Sequence, residues 1–122
     1  MNLGSMVKDL AFVAYSVRDI PRAAVFYRDV VGLKPGKLSS DHWAEFDLGT
    51  TAFGVGNGEP LGFMPGQSNG AMFEVDDIDA ARERLIAGGA GNVSEINEFP
   101  SSCRSCFASD PEGNRFGLHQ RL

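Results

Sequence analysis

Few side chains in this 122-residue chain have the chemistry to hold or transform another molecule, which makes their spacing informative. There are two histidines, His42 and His119, and two cysteines in a Cys103-x-x-Cys106 pair. The pair has the spacing of half a zinc knuckle or of a redox motif, yet no second pair follows it and the segment reads as a strand. Positions three apart on a strand face opposite sides, which suits neither chelation nor a disulfide. Small buried side chains are the expected role of both cysteines. A lone histidine is more often a surface or hydrogen-bonded residue than a metal ligand. No Ser-His-Asp arrangement, phosphate-cradling loop or pair of closely spaced catalytic carboxylates is visible. Gly54-Val55-Gly56-Asn57-Gly58 is turn-like and lacks the following helix that a dinucleotide loop needs.

The elements that must position these residues are organised around Ala71 to Gly89. Ala71, Phe73 and Val75 alternate with Met72 and Glu74 at the period of a strand, whereas Ile78, Ala81 and Leu85 fall on one helical face. Asp77 stands at the N-cap, where its carboxylate can accept from an amide of the first turn, and Gly88-Gly89 supplies a left-handed stop. The same pattern occurs earlier. Val17-Arg18-Asp19-Ile20 matches Val75-Asp76-Asp77-Ile78 at a constant offset of 58 (75 less 17), and Ala23 matches Ala81. Two copies at that period indicate a duplicated module whose halves share one core.

Leu10 to Val17 reads as the first strand, followed by a helix capped by Asp19, with Ile20, Ala24, Tyr27 and Val31 as its apolar stripe and Gly32 at its end. Strands are expected over Leu33–Ser39, His42–Leu48 and Thr51–Val55. The Gly- and Pro-rich segment 57–69 marks the join between halves. In the second half, strands are expected over Asn92–Ile96, Cys103–Ser109 and Asn114–His119, with Asp110-Pro111-Glu112-Gly113 as a turn. One domain over 7–122 results, with module 1 at about 8–56 and module 2 at about 70–120.

A formal net charge of −5 without a basic run argues against nucleic acid and anionic membranes as partners. No apolar run approaches the roughly 20 residues of a membrane span, and the N-terminus lacks a secretory layout, so a cytoplasmic location is expected. The sequon Asn92-Val93-Ser94 then meets no glycosylating compartment. Met6 is as good a start as Met1, so the opening MNLGS reads as a candidate non-native leader.

The doubled strand-helix-three-strand pattern, the phrase Ala24-Val25-Phe26-Tyr27 before Val31-Gly32-Leu33, and the turn Asp110-Pro111-Glu112-Gly113-Asn114 together resemble the vicinal oxygen chelate superfamily. That superfamily includes glyoxalase I, bleomycin-resistance proteins, fosfomycin-resistance enzymes and extradiol dioxygenases. The resemblance covers Leu10 to His119. It implies an α+β fold of two tandem βαβββ modules forming a curved mixed sheet around a cleft, with both helices on the convex side. Metal-using members hold a divalent cation with His, Gln or Glu from four strand positions. Matching by motif and repeat puts Phe12, Gly54, Gly70 and Gly117 there, none of which can ligate through a side chain. No metal or other cofactor is therefore expected.

With those four positions inward, parity also turns Ala14, Ala52, Met72, Glu74, Arg115 and His119 to the cleft, and Val13, Tyr15, Phe53, Val55, Phe73, Phe116 and Leu118 to the helices. In the third strand Ala44, Phe46 and Leu48 suit the core, leaving Trp43, Glu45 and Asp47 toward the cleft. For Cys103–Ser109 the phase stays open between Ser105 with Phe107 and Arg104 with Cys106, the fosfomycin-resistance resemblance favouring the former. The expected cleft has walls of Phe12, Trp43, Met72 and Phe107, room made by glycines, and Glu45, Glu74, Arg115 and His119 as ionisable groups. Apolar walls with sparse polar anchors characterise small-molecule sites. Two functions are carried: a metal-free binding protein of bleomycin-resistance type, taking an aromatic or cationic ligand as a homodimer; or a glyoxalase-like lyase or dioxygenase with Glu45, Glu74 or His119 as its acid-base group, metal-free or with metal held at non-standard positions.

Overall fold

The computed structural model describes Gly4 and residues 6–122; the rest of the opening MNLGS, read as a candidate leader, lies outside the described residues. Each half folds as βαβββ. Module 1 comprises β1 (Val13–Ser16), α1 (Ile20–Val25), β2 (Lys34–Ser39), β3 (Trp43–Asp47) and β4 (Ala52–Gly56). Module 2 comprises β5 (Ala71–Glu74), α2 (Ile78–Ala87), β6 (Asn97–Phe99), β7 (Cys103–Ser109) and β8 (Arg115–Arg121). Each module builds its own four-stranded sheet, in the orders β1-β4-β3-β2 and β5-β8-β7-β6, with one parallel pair and two antiparallel pairs. The α+β class and the tandem modules are as the sequence implies.

Both helices start where expected. Asp19 accepts from the Arg22 amide and Asp77 from the Ala80 amide, each at 3.1 Å. The first helix differs from a regular stripe, because beyond α1 it continues as a π-helical segment, Phe26–Val31, up to the left-handed Gly32. The wider turn lets the adjacent residues Phe26 and Tyr27 both point inward and be buried, together with Ile20 and Ala23, while Ala24 and Val31 pack only at the margin.

Four other expectations are corrected. The first strand begins at Val13, not Leu10; the preceding backbone is unpaired with another strand and held by Thr51, whose hydroxyl donates to the Leu10 carbonyl at 2.8 Å. Residues 92–96 are not a strand. Asn92 has a positive φ of 46°, and the segment bonds β7 only at separate points, Gly91 with Ser109 and Ser94 with Phe107, so regular strand pairing along that edge begins with β6. Leu48 is 40% exposed rather than in the core, since β3 has ended and the chain is turning through Gly49. β8 starts at Arg115 and runs on to Arg121, two residues past His119.

One aromatic core joins the modules. Tyr15, Tyr27, Phe46 and Phe53 of module 1 interlock with Phe73 and Phe116 of module 2, the Phe53–Phe73 centroids lying 5.2 Å apart and Tyr27–Phe116 5.8 Å. α1 packs on β3 and β4, and α2 on β7 and β8. The helix-side face of each sheet is therefore spent on this shared core, and the opposite faces are left to solvent or ligand.

The turn after β7 fastens the junction. Asp110 is buried; its Oδ1 accepts from the Glu112 and Asn114 amides and its Oδ2 from the Tyr27 hydroxyl at 2.8 Å. Asn114 donates to the Ser16 carbonyl and accepts from the Ser68 amide. The Glu112 carboxylate accepts from the Arg18 and Asp19 amides at the start of α1. Burial, and next the nearby Asp110 charge, push the Tyr27 phenol far above its ordinary range, so it stays a donor.

Candidate functional site

On module 1, the outer face is set by how β4 lies beneath Trp43. A Cβ on Gly54 would sit 2.1 Å from the indole Cζ2, and one on Gly56 would sit 2.9 Å from Cε3. Trp43 thus lies across both glycines, with Phe12 edge-on at a centroid distance of 5.3 Å. Where the sequence reading expects glycines to make room, Gly54 and Gly56 instead let the indole lie flat on the sheet. Its Nε1 points toward Glu45 Oε1 at 3.4 Å. Beside this aromatic pair is a cavity of about 400 Å³ lined by Phe12, Ala14, Ser16, Trp43, Leu61 and Phe63, among others. Ser16 hydroxyl donates to the Phe63 carbonyl at 2.8 Å and accepts from the Gly58 amide, so it fixes the segment 57–63 as one wall. That wall went unrecognised in the sequence, where the segment reads as a linker.

Module 2 repeats the arrangement with other side chains. A Cβ on Gly117 would meet Met72 Sδ at 2.3 Å and Phe107 Cε1 at 3.0 Å, which places Met72 and Phe107 over Gly117 on the outer face of β5, β7 and β8. Cys106 and Ala108 are fully buried in the core, fixing the phase of β7 as Ser105 and Phe107 outward. Arg104 lies on the helix side, paired with Asp79 at 2.9 Å. A second cavity of about 260 Å³ is lined by Gly70, Met72, Phe107, Arg115 and Gly117. Arg115 is tethered there, donating to the Asn92 carbonyl at 2.7 Å. His119 and Glu74 are in contact, Nδ1 to Oε1 at 2.5 Å, and Glu74 also accepts from the Arg121 amide. The His119 hydrogen bond, more than any other cause, holds the Glu74 carboxyl below its ordinary range.

The residues expected to share one cleft therefore fall into two groups. Phe12, Trp43, Glu45 and Gly54 occupy the face of module 1; Gly70, Met72, Ser105, Phe107, Arg115, Gly117 and His119 occupy that of module 2, with Glu74. Phe12 and Met72 remain 49% and 43% exposed. Cys103 and Cys106 are both free thiols, and burial raises the Cys106 thiol above its ordinary range.

Two mixed sheets in 1-4-3-2 order, one βαβββ unit each, define the vicinal oxygen chelate architecture. The glyoxalase-like domain family matches residues 12–119, and the chain belongs to it. It is similar in structure to TnmS3, an antibiotic binding protein from Streptomyces sp. CB03234, at 26% identity and a TM-score of 0.79 over 96% of this chain and 98% of that one. A glyoxalase/bleomycin resistance protein from the same organism is 27% identical, with a TM-score of 0.77 over 92% and 100% of the two chains. Lactoylglutathione lyase from Agrobacterium tumefaciens, 22% identical with a TM-score of 0.74 over 95% and 96%, shares the fold. No curated protein matches the chain.

At the positions where the superfamily resemblance implies a metal, Phe12, Gly54, Gly70 and Gly117 offer a phenyl ring and three bare backbones. Among the described residues, no three His, Cys, Asp or Glu side chains converge at a point where they could share an ion.

Proposed function

We propose that the protein binds a flat aromatic or cationic small molecule without a metal, on the Trp43 face of module 1. The observation that carries this reading is the cavity of about 400 Å³ beside an indole laid flat on Gly54 and Gly56 and edged by Phe12. One face of that indole is committed to the sheet; the other can stack on a planar ligand. A cationic ligand gains roughly 0.5–2 kcal/mol more from the ring. The antibiotic-binding description of TnmS3, at 26% identity across nearly the whole chain, supports a small-molecule ligand.

The protein acts as a cytoplasmic homodimer. β1 pairs only with β4 and β5 only with β8, which leaves each with a free edge among the described residues, and the outer faces of the two modules are separate half-sites. A second copy that brings its module 2 face over module 1 completes the enclosure a small molecule needs. Acridine orange and bleomycin serve as probes. Each should quench Trp43 fluorescence saturably, and Trp43→Ala should weaken acridine binding at least tenfold, measured by calorimetry, while light scattering reports a dimer for both proteins. Unchanged affinity in Trp43→Ala would remove the indole from the site; stoichiometric Zn, Ni, Mn or Fe in the purified protein would overturn the metal-free reading.

A further inference from the structure

The outer face of module 2 aligns three groups that sequence spacing conceals. Ser105 on β7 is the register partner of His119 on β8, and His119 is the register partner of Glu74 on β5. All three share the face of Met72, Phe107 and Gly117, since each is two residues from one of these along its strand. Glu74 is held by two contacts, from His119 Nδ1 at 2.5 Å and from the Arg121 amide at 2.8 Å. When Nδ1 donates to this carboxylate, the neutral imidazole keeps its lone pair on Nε2. Nε2 and the Ser105 hydroxyl have no hydrogen-bond partner among the described residues. Facing Cβ atoms on paired antiparallel strands lie about 4.5–5.5 Å apart, so a staggered rotation of Ser105 brings its hydroxyl toward the ring. Ser105 is 5% exposed, at the floor of the face. The cavity of about 260 Å³ over Met72, Phe107 and Gly117 begins at the adjoining row.

The geometry points to an esterase site: Ser105 as nucleophile, His119 as its base and Glu74 as the positioning carboxylate, acting on small apolar esters seated over Met72 and Phe107. Ser105 Oγ forms a bond to the acyl carbon as its proton passes to His119 Nε2. The carbon–alkoxy bond then breaks, and the leaving oxygen takes that proton. Water next attacks the acyl-serine, giving a proton to Nε2; the serine–acyl bond breaks, Ser105 recovers the proton, and the carboxylic acid leaves. Ester and water become acid and alcohol, with no other reactant.

The full-length chain is treated with a short-chain alkyl fluorophosphonate and, separately, assayed with p-nitrophenyl butyrate. A single phosphonyl adduct on Ser105, found by peptide mapping, is the expected result, together with saturable hydrolysis. Ser105→Ala and His119→Gln should each lower kcat at least 100-fold, and Glu74→Gln about tenfold with KM unchanged, the signature of a group acting through the imidazole. The absence of an adduct on Ser105 in the unmodified protein, which requires no variant to fold, overturns the assignment; so does hydrolysis unaltered in Ser105→Ala. In a dimer closed as proposed the two faces line one enclosure, but the adduct is read on Ser105 and acridine affinity on Trp43, so failure of either result leaves the other reading standing.

Discussion

At the row where β3 and β4 pair Trp43 with Gly56, the equivalent strands of module 2 pair Ser105 with His119, and the β1 and β5 partners are Ser16 and Glu74. One row therefore carries a large flat ring over a bare backbone, and the other an ionisable cluster. Both modules keep a glycine in the middle of the last strand, Gly54 and Gly117, and both cover it with a neighbouring side chain. The lesson is that duplication preserved the backbone requirement, close approach of a bulky group to the sheet, while the chemistry above it diverged. The turns diverged as well. Leu48–Thr51 stands at the surface, whereas Asp110–Asn114 is driven into the junction between modules.

The largest test of this contrast is at the turns. Asp110→Ala removes the acceptor of Tyr27, Asn114 and two turn amides from a buried site, and should cost about 3 kcal/mol or more by urea unfolding. Asp47→Ala, at the exposed counterpart, loses one bond to the Gly49 amide and should cost no more than about 1 kcal/mol. Equal losses would show that the two turns are equivalent after all.

The covered glycines should differ less. Gly54→Ala places a methyl against a rigid indole, and should cost about 1–3 kcal/mol and shift Trp43 emission. Gly117→Ala meets chiefly the end of the flexible Met72 side chain, which swings aside; its cost should stay below about 1 kcal/mol. A Gly117→Ala penalty matching that at Gly54 would break the distinction between a stiff cover and a soft one.

Titration gives the finest comparison. The Tyr27 phenol is raised, so its contribution is present below the unfolded phenol value of about 10 and is lost as pH rises beyond it. Absorbance titration of tyrosine should show Tyr27 ionising only with unfolding. The Glu74 carboxyl is lowered, so its small contribution is present above the unfolded value of about 4.3 and is lost as pH falls through the folded value. Glu74→Gln should flatten that acid limb, measured by urea unfolding across pH.

The repeat, both helix caps and the alternation of β3, β5 and β8 were legible in the chain, because local propensity and the two-residue period act over a few neighbouring positions, whereas the phase of β7 stayed open. The same logic failed where no local signal exists. Phe26 joined Tyr27 in the core through a π-helical segment, residues 92–96 stayed irregular, and the segment 57–63 became a cavity wall through a single serine. The sequence by itself thus determined the doubled architecture and, within β3, β5 and β8, which side chains leave the core. Tertiary structure alone decided that those side chains form two separate faces, since packing both apolar sheet faces into one core turns the other two outward. It also decided that Ser105, His119 and Glu74 stand in one row across β7, β8 and β5, because strand register, set by long-range pairing, aligns residues that spacing along the chain keeps apart.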